Sequence, residues 1–103
     1  AAEECDAGRV GYASSKAALI AFTKVLSKEL GSFNIRVNAV APGLTNTNMM
    51  GKDVSKKVIE EAIKRVALKR PAEPEEISDV VVFLGSDLSR YISGEVIFVT
   101  GGY

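Results

Sequence analysis

The chain has 103 residues, and its thirteen basic side chains are balanced by thirteen acidic ones, so nothing in its charge points to nucleic acid or an anionic membrane. It is 47% hydrophobic and 25% charged, with no apolar run near the roughly 20 residues a spanning helix needs, which leads us to expect a soluble, cytoplasmic protein of one small domain. With no histidine and only Cys5 for a thiol, a Ser-His-Asp triad, a histidine-ligated zinc, a CxxC site and an internal disulfide are all excluded.

Residues 1–10 show no periodicity, and the acids around Cys5 disfavour its thiolate, which makes it a bystander. Over residues 12–30, Ala18, Leu19, Phe22, Val25 and Leu26 recur at helical spacing, and Gly31 is placed to end the helix. In NIRVNAVAPG, Ile35, Val37 and Ala39 alternate with Arg36 and Asn38, which predicts a short strand stopped by Pro42-Gly43. LTNTNMMGKD reads as a polar loop. A second helix is predicted over residues 55–67, with Val58, Ile59, Ala62, Ile63 and Val66 on one side. KRPAEP breaks it. A third helix starts at Pro74, with Glu75 and Glu76 where the helix dipole favours acids, and ends at Gly85. EVIFV is the last predicted strand, nearly continuous in apolar residues, as in a strand buried on both faces.

The order helix, strand, helix, helix, strand joins its strands through helices, the pattern of a parallel α/β layer. Two strands cannot cover three amphipathic helices. We therefore expect about half of a larger parallel α/β sheet, completed by an N-terminal segment, another chain or self-association.

Tyr12 and Lys16 stand four residues apart, one turn along the same helix face. A free phenol ionises near pH 10 and is a poor acid or base at neutrality. A cation held close favours the phenolate and brings such a group toward useful acid–base chemistry. Small residues at positions 13, 14, 15, 17 and 18 leave room for a ligand or a neighbouring helix. Taken alone, Y-x-x-x-K is more readily a surface tyrosine beside a surface lysine.

Four blocks in order change that weighing: YASSKAALIAFTKVLSKEL, NIRVNAVAPGLTNTNM, RPAEPEEISDVVVFLGSDLSRYISGEVIFV, and a terminal GG. Together they resemble the short-chain dehydrogenases/reductases, most of all the 3-oxoacyl-acyl-carrier-protein reductase branch. The resemblance covers residues 11–102 and implies that the fold is the C-terminal half of a doubly wound, Rossmann-type parallel sheet. It implies an oxidoreductase in which Tyr12 is the catalytic acid/base, while Lys16 favours its phenolate and binds the nicotinamide ribose. It implies that Pro42, Gly43, Leu44 and Thr45 lie beside an NAD or NADP cofactor and that Thr47 contacts it. Glycine at 43 would let backbone approach a flat ring. It also implies that Met49 and Met50, in a substrate lid, face an acyl thioester, and that the chain forms homo-oligomers. The family's Gly-rich phosphate turn and its catalytic serine and asparagine have no counterpart in these blocks, so we expect the N-terminal half of the site to lie outside residues 1–103. Without it the chain would be inactive, and a non-catalytic interaction module is the alternative. A sugar, steroid or polyol dehydrogenase of the same family is another.

Overall fold

The computed structural model describes residues 10–47 and 55–103, which divide into two units. The first takes residues 10–39 and 84–97, and the second takes 40–47, 55–83 and 98–103.

In the first unit, helix α1 runs Val10–Leu30, so it starts two residues before the predicted Tyr12. Its covered side is not centred where the periodicity put it. Leu19, Thr23, Leu26 and Leu30 form the shielded line, with Thr23 only 2% exposed. The Thr23 hydroxyl donates to the Leu19 carbonyl at 2.7 Å, so a polar group is buried there without losing its partner. Phe22 and Val25 stay 64% and 55% exposed, a second apolar face left open in this chain. Past Gly31 the helix tightens into a single 3₁₀ turn, Gly31–Phe33. Asn34 closes it in the left-handed region at φ 59, its N–H donating to the Gly31 carbonyl.

The alternation over 35–39 predicts a strand, but strand β1 is Ala39–Pro42. The reason lies in where residues 36–38 find their partners. The Arg36 guanidinium donates to the carbonyls of Leu84, Ser86 and Ile92 at 2.9, 3.3 and 3.1 Å and to Ser89 Oγ at 3.3 Å. Val37 N–H donates to Ser93 Oγ, and the Val37 carbonyl accepts from Gly94 N–H. Asn38 donates to the Ile92 carbonyl and accepts from Glu95 N–H. These residues belong to no strand, because their partners lie in the segment from Leu84 to Glu95 and not in a neighbouring strand. That loop carries its own 3₁₀ turn, Asp87–Ser89, whose Ser86 cap accepts from Leu88 N–H.

Gly94 sits at φ +80, and a Cβ there would lie 2.7 Å from Ser27 Oγ. Both the backbone and the neighbour exclude a side chain. Gly94→Ala should therefore cost about 1–3 kcal/mol of stability in a denaturant titration. A change within about 0.5 kcal/mol would show that the turn relaxes freely.

In the second unit, helix α2 (Lys56–Arg65) starts at Ser55, whose side chain accepts from Val58 N–H at 3.3 Å. It is shorter than the predicted 55–67 because Val66 already has extended backbone. Helix α3 runs Pro74–Leu84, as its proline and acids predict. Ala41 and Val66, at 1% and 2% exposure, form the buried apolar centre among the described residues.

Strand β2 is Val96–Val99 and pairs with β1 in a two-stranded sheet. Ala39 N–H donates to the Glu95 carbonyl and Gly43 N–H to that of Val99. The equal offset makes the strands parallel, as the helical crossover predicts. β2 is not buried on both faces here: Phe98 is 38% exposed, because β1 is its sole strand neighbour among the described residues.

Candidate active site

Tyr12 and Lys16 occupy the first turns of α1 in the first unit, where Ser15 Oγ donates back to the Gly11 carbonyl at 2.9 Å. The i, i+4 spacing brings the Lys16 ammonium to 5.5 Å from the Tyr12 ring centroid, within cation–π range. Tyr12 is 44% exposed. Among the described residues, the Lys16 ammonium has no hydrogen-bond acceptor.

Residues 42–47 belong to the second unit. Gly43 has a structural reason that the sequence did not reveal. A Cβ there would sit 3.0 Å from Thr100 Cα and 3.2 Å from Thr100 Cβ, so a side chain at the strand end would press on β2's continuation. Leu44 accepts from Ala72 N–H at 2.9 Å, and Asn46 N–H donates to the Ala72 carbonyl at 2.7 Å. Thr45 pairs with Ala72 in an isolated parallel bridge, and its hydroxyl donates to the Gly43 carbonyl at 3.1 Å. Pro42 and Thr47 are exposed. Met49 and Met50, the expected substrate contacts, lie outside the described residues.

The structure adds two residues whose link the sequence reading missed. Arg70 grips Glu76 with both guanidinium nitrogens, at 2.6 and 2.9 Å. Glu76 also accepts from Glu73 N–H at 2.9 Å, the backward reach of a capping box at the start of α3. The Arg70 hydrogen bond, then the one from Glu73 N–H, hold the Glu76 carboxyl down at about 2, so it stays charged through mildly acid conditions. The Glu73-x-x-Glu76 spacing carried the signal for the cap. The arginine six positions before Glu76 gave no periodic signal.

A family model described as enoyl-(acyl carrier protein) reductase matches residues 1–103. The chain belongs to the short-chain dehydrogenase/reductase family. Within it, the 3-oxoacyl-[acyl-carrier-protein] reductase FabG of Thermotoga maritima is 48% identical over 95 residues, covering 92% of this chain and 38% of the relative. A 3α-hydroxysteroid dehydrogenase of Mediterraneibacter gnavus is 46% identical over 91 residues, covering 88% of this chain and 36% of that protein. A crystal structure of a 3-oxoacyl-[acyl-carrier protein] reductase with bound NAD, from Brucella melitensis, superimposes with a TM-score of 0.79 at 39% identity, covering 90% of this chain and 33% of that one. This member of the family thus spans little more than a third of the curated relatives it matches.

Proposed function

We propose that this chain is the catalytic part of a nicotinamide-dependent reductase that converts a ketone to a secondary alcohol, with a 3-oxoacyl thioester as substrate. The observation that carries this is the Lys16 ammonium, without an acceptor among the described residues, 5.5 Å from the ring of a half-exposed Tyr12. The FabG identity and the NAD in the Brucella relative support it.

The residues present suit an NAD or NADP cofactor. Three ammonium donors on Lys16 match a ribose diol, and the Thr47 hydroxyl, able to donate and accept, matches a carboxamide, while Thr45, whose proton goes to the Gly43 carbonyl, is left to accept. Pro42, Gly43 and Leu44 would flank the nicotinamide. When bound, the cofactor supplies the hydride. Tyr12 Oη gives its proton to the carbonyl oxygen as the alcohol forms, and Lys16 stabilises the phenolate left behind. Run backward, the phenolate removes the alcohol proton. Met49 and Met50 would offer an adaptable apolar contact for the acyl chain.

In this reading the remaining length of the relatives supplies the turn that holds the pyrophosphate, and the exposed Phe22 and Val25 on α1 pack against a second copy. The test is direct. The complete protein is mixed with NADPH or NADH and a 3-oxoacyl thioester, and separately with a 3-keto steroid, and the nicotinamide absorbance is followed. Oxidation with the thioester is expected. Faster turnover of the steroid would move the substrate class, and no turnover of any ketone would sink the assignment.

A further inference from the structure

Segment 66–73 of the second unit is bonded on two edges. On one it meets the loop assigned to the cofactor: Leu44 and Asn46 exchange backbone bonds with Ala72, and Asn46 Nδ2 donates to Glu73 Oε1 at 3.3 Å. On the other, Ala67 and Leu68 N–H donate to the carbonyls of Gly102 and Gly101, at 3.3 and 3.0 Å. The segment contains no regular helix, and β-type pairing reaches it only through the isolated bridge at Ala72. Across Pro71 the fork of Arg70 on Glu76 bridges the segment to α3, and Glu76 in turn is tied to Glu73 N–H. A continuous bonded path therefore runs from Arg70 through Glu76 and Glu73 to Asn46.

We infer that Arg70 and Glu76 are positioning residues, which set dinucleotide affinity by holding the backbone of Leu44 to Asn46 against Ala72. This rests on the reading of residues 42–47 as the cofactor loop. The pair is not itself a ligand site. The hollow that it borders, with Leu68, Ala72, Val99, Thr100 and Gly101, holds about 90 Å³, far below the several hundred that a small-molecule pocket needs. Nor is it a major source of global stability, because Arg70 and Glu76 are 51% and 42% exposed and such pairs contribute little. Its effect is local, on one loop.

The experiment compares wild type with Arg70→Gln and Glu76→Gln in the complete enzyme. Glutamine at 76 keeps an oxygen for Glu73 N–H while removing the charge, so the helix start is preserved and the clamp alone is lost. Amide hydrogen exchange at Asn46 is expected to quicken about tenfold. The dinucleotide KM is expected to rise about five- to twentyfold, with the ketone KM and kcat within about twofold, the signature of lost uniform binding. Arg70→Lys, which keeps the charge without the fork, should recover part of the loss. Exchange at Asn46 that stays at the wild-type rate would overturn the inference, as would faster exchange with an unchanged dinucleotide KM. A wild-type enzyme that binds no dinucleotide would overturn the functional reading itself.

Discussion

Tyr12→Phe in the complete enzyme should lower kcat about a thousandfold and leave the dinucleotide Kd within about twofold of wild type. The substitution deletes one oxygen. The ring stays, and with it the face that Lys16 approaches at 5.5 Å, so the start of α1 and the placement of the ammonium are preserved. What disappears is the proton donor for the ketone oxygen, and water is a poor replacement because it must be ordered anew in every turnover. A general acid contributes about 10²- to 10⁴-fold, which sets the size of the expected drop. Steady-state kinetics and a fluorescence titration of the nucleotide, made on the same preparation, separate the two quantities. Turnover within tenfold of wild type would remove Tyr12 from the chemistry.

The second large effect concerns the fold. Arg36→Met should cost about 3 kcal/mol in the free energy of unfolding. Methionine fills much of the same space but donates nothing, while the carbonyls of Leu84, Ser86 and Ile92 lose a charged donor in a half-buried setting. Bonds to a charged group are each stronger than neutral ones, at about 1.5–3 kcal/mol, but their sum is not recovered in full because water re-enters the site. Arg36→Lys should fall between the two, since an ammonium cannot span the same set of oxygens as a planar fork. Urea titration gives the comparison, and an Arg36→Met protein as stable as wild type would show that the 84–95 loop is held by other bonds.

How far the sequence revealed this molecule depended on whether a residue's partner lay nearby in the chain. Helices α1 and α3 were legible because their signals are local: an apolar repeat with a glycine after it, and a proline followed by acids. The Tyr12–Lys16 approach was legible for the same reason, since one helical turn fixes it. β1 was misplaced because Arg36 and Asn38 alternate with apolar residues just as strand residues do, yet their partners lie some fifty positions away in a loop. The open faces at Phe22 and Val25 were not legible either. Periodicity marks which residues are apolar, not which of two apolar faces this chain covers. Gly43 met a neighbour that its own stretch of sequence could not show, Thr100 on β2's continuation. Arg70 had no local signal, because its role depends on a side-chain fork reaching into the next helix's cap.

The division of the chain also bears on how it is made. Neither unit is one continuous stretch: residues 10–39 share theirs with 84–97, and residues 40–47 and 55–83 share theirs with 98–103. On the ribosome, Arg36 emerges 48 residues before Leu84 and 56 before Ile92, so its oxygens do not yet exist when it leaves the tunnel. At about 5–20 residues per second the wait lasts several seconds. Throughout it, the covered side of α1 at Leu19, Thr23, Leu26 and Leu30 lacks the segment that completes its unit. That unit can close only when the late-made residues 84–97 arrive, the mark of a long-range and therefore slow assembly.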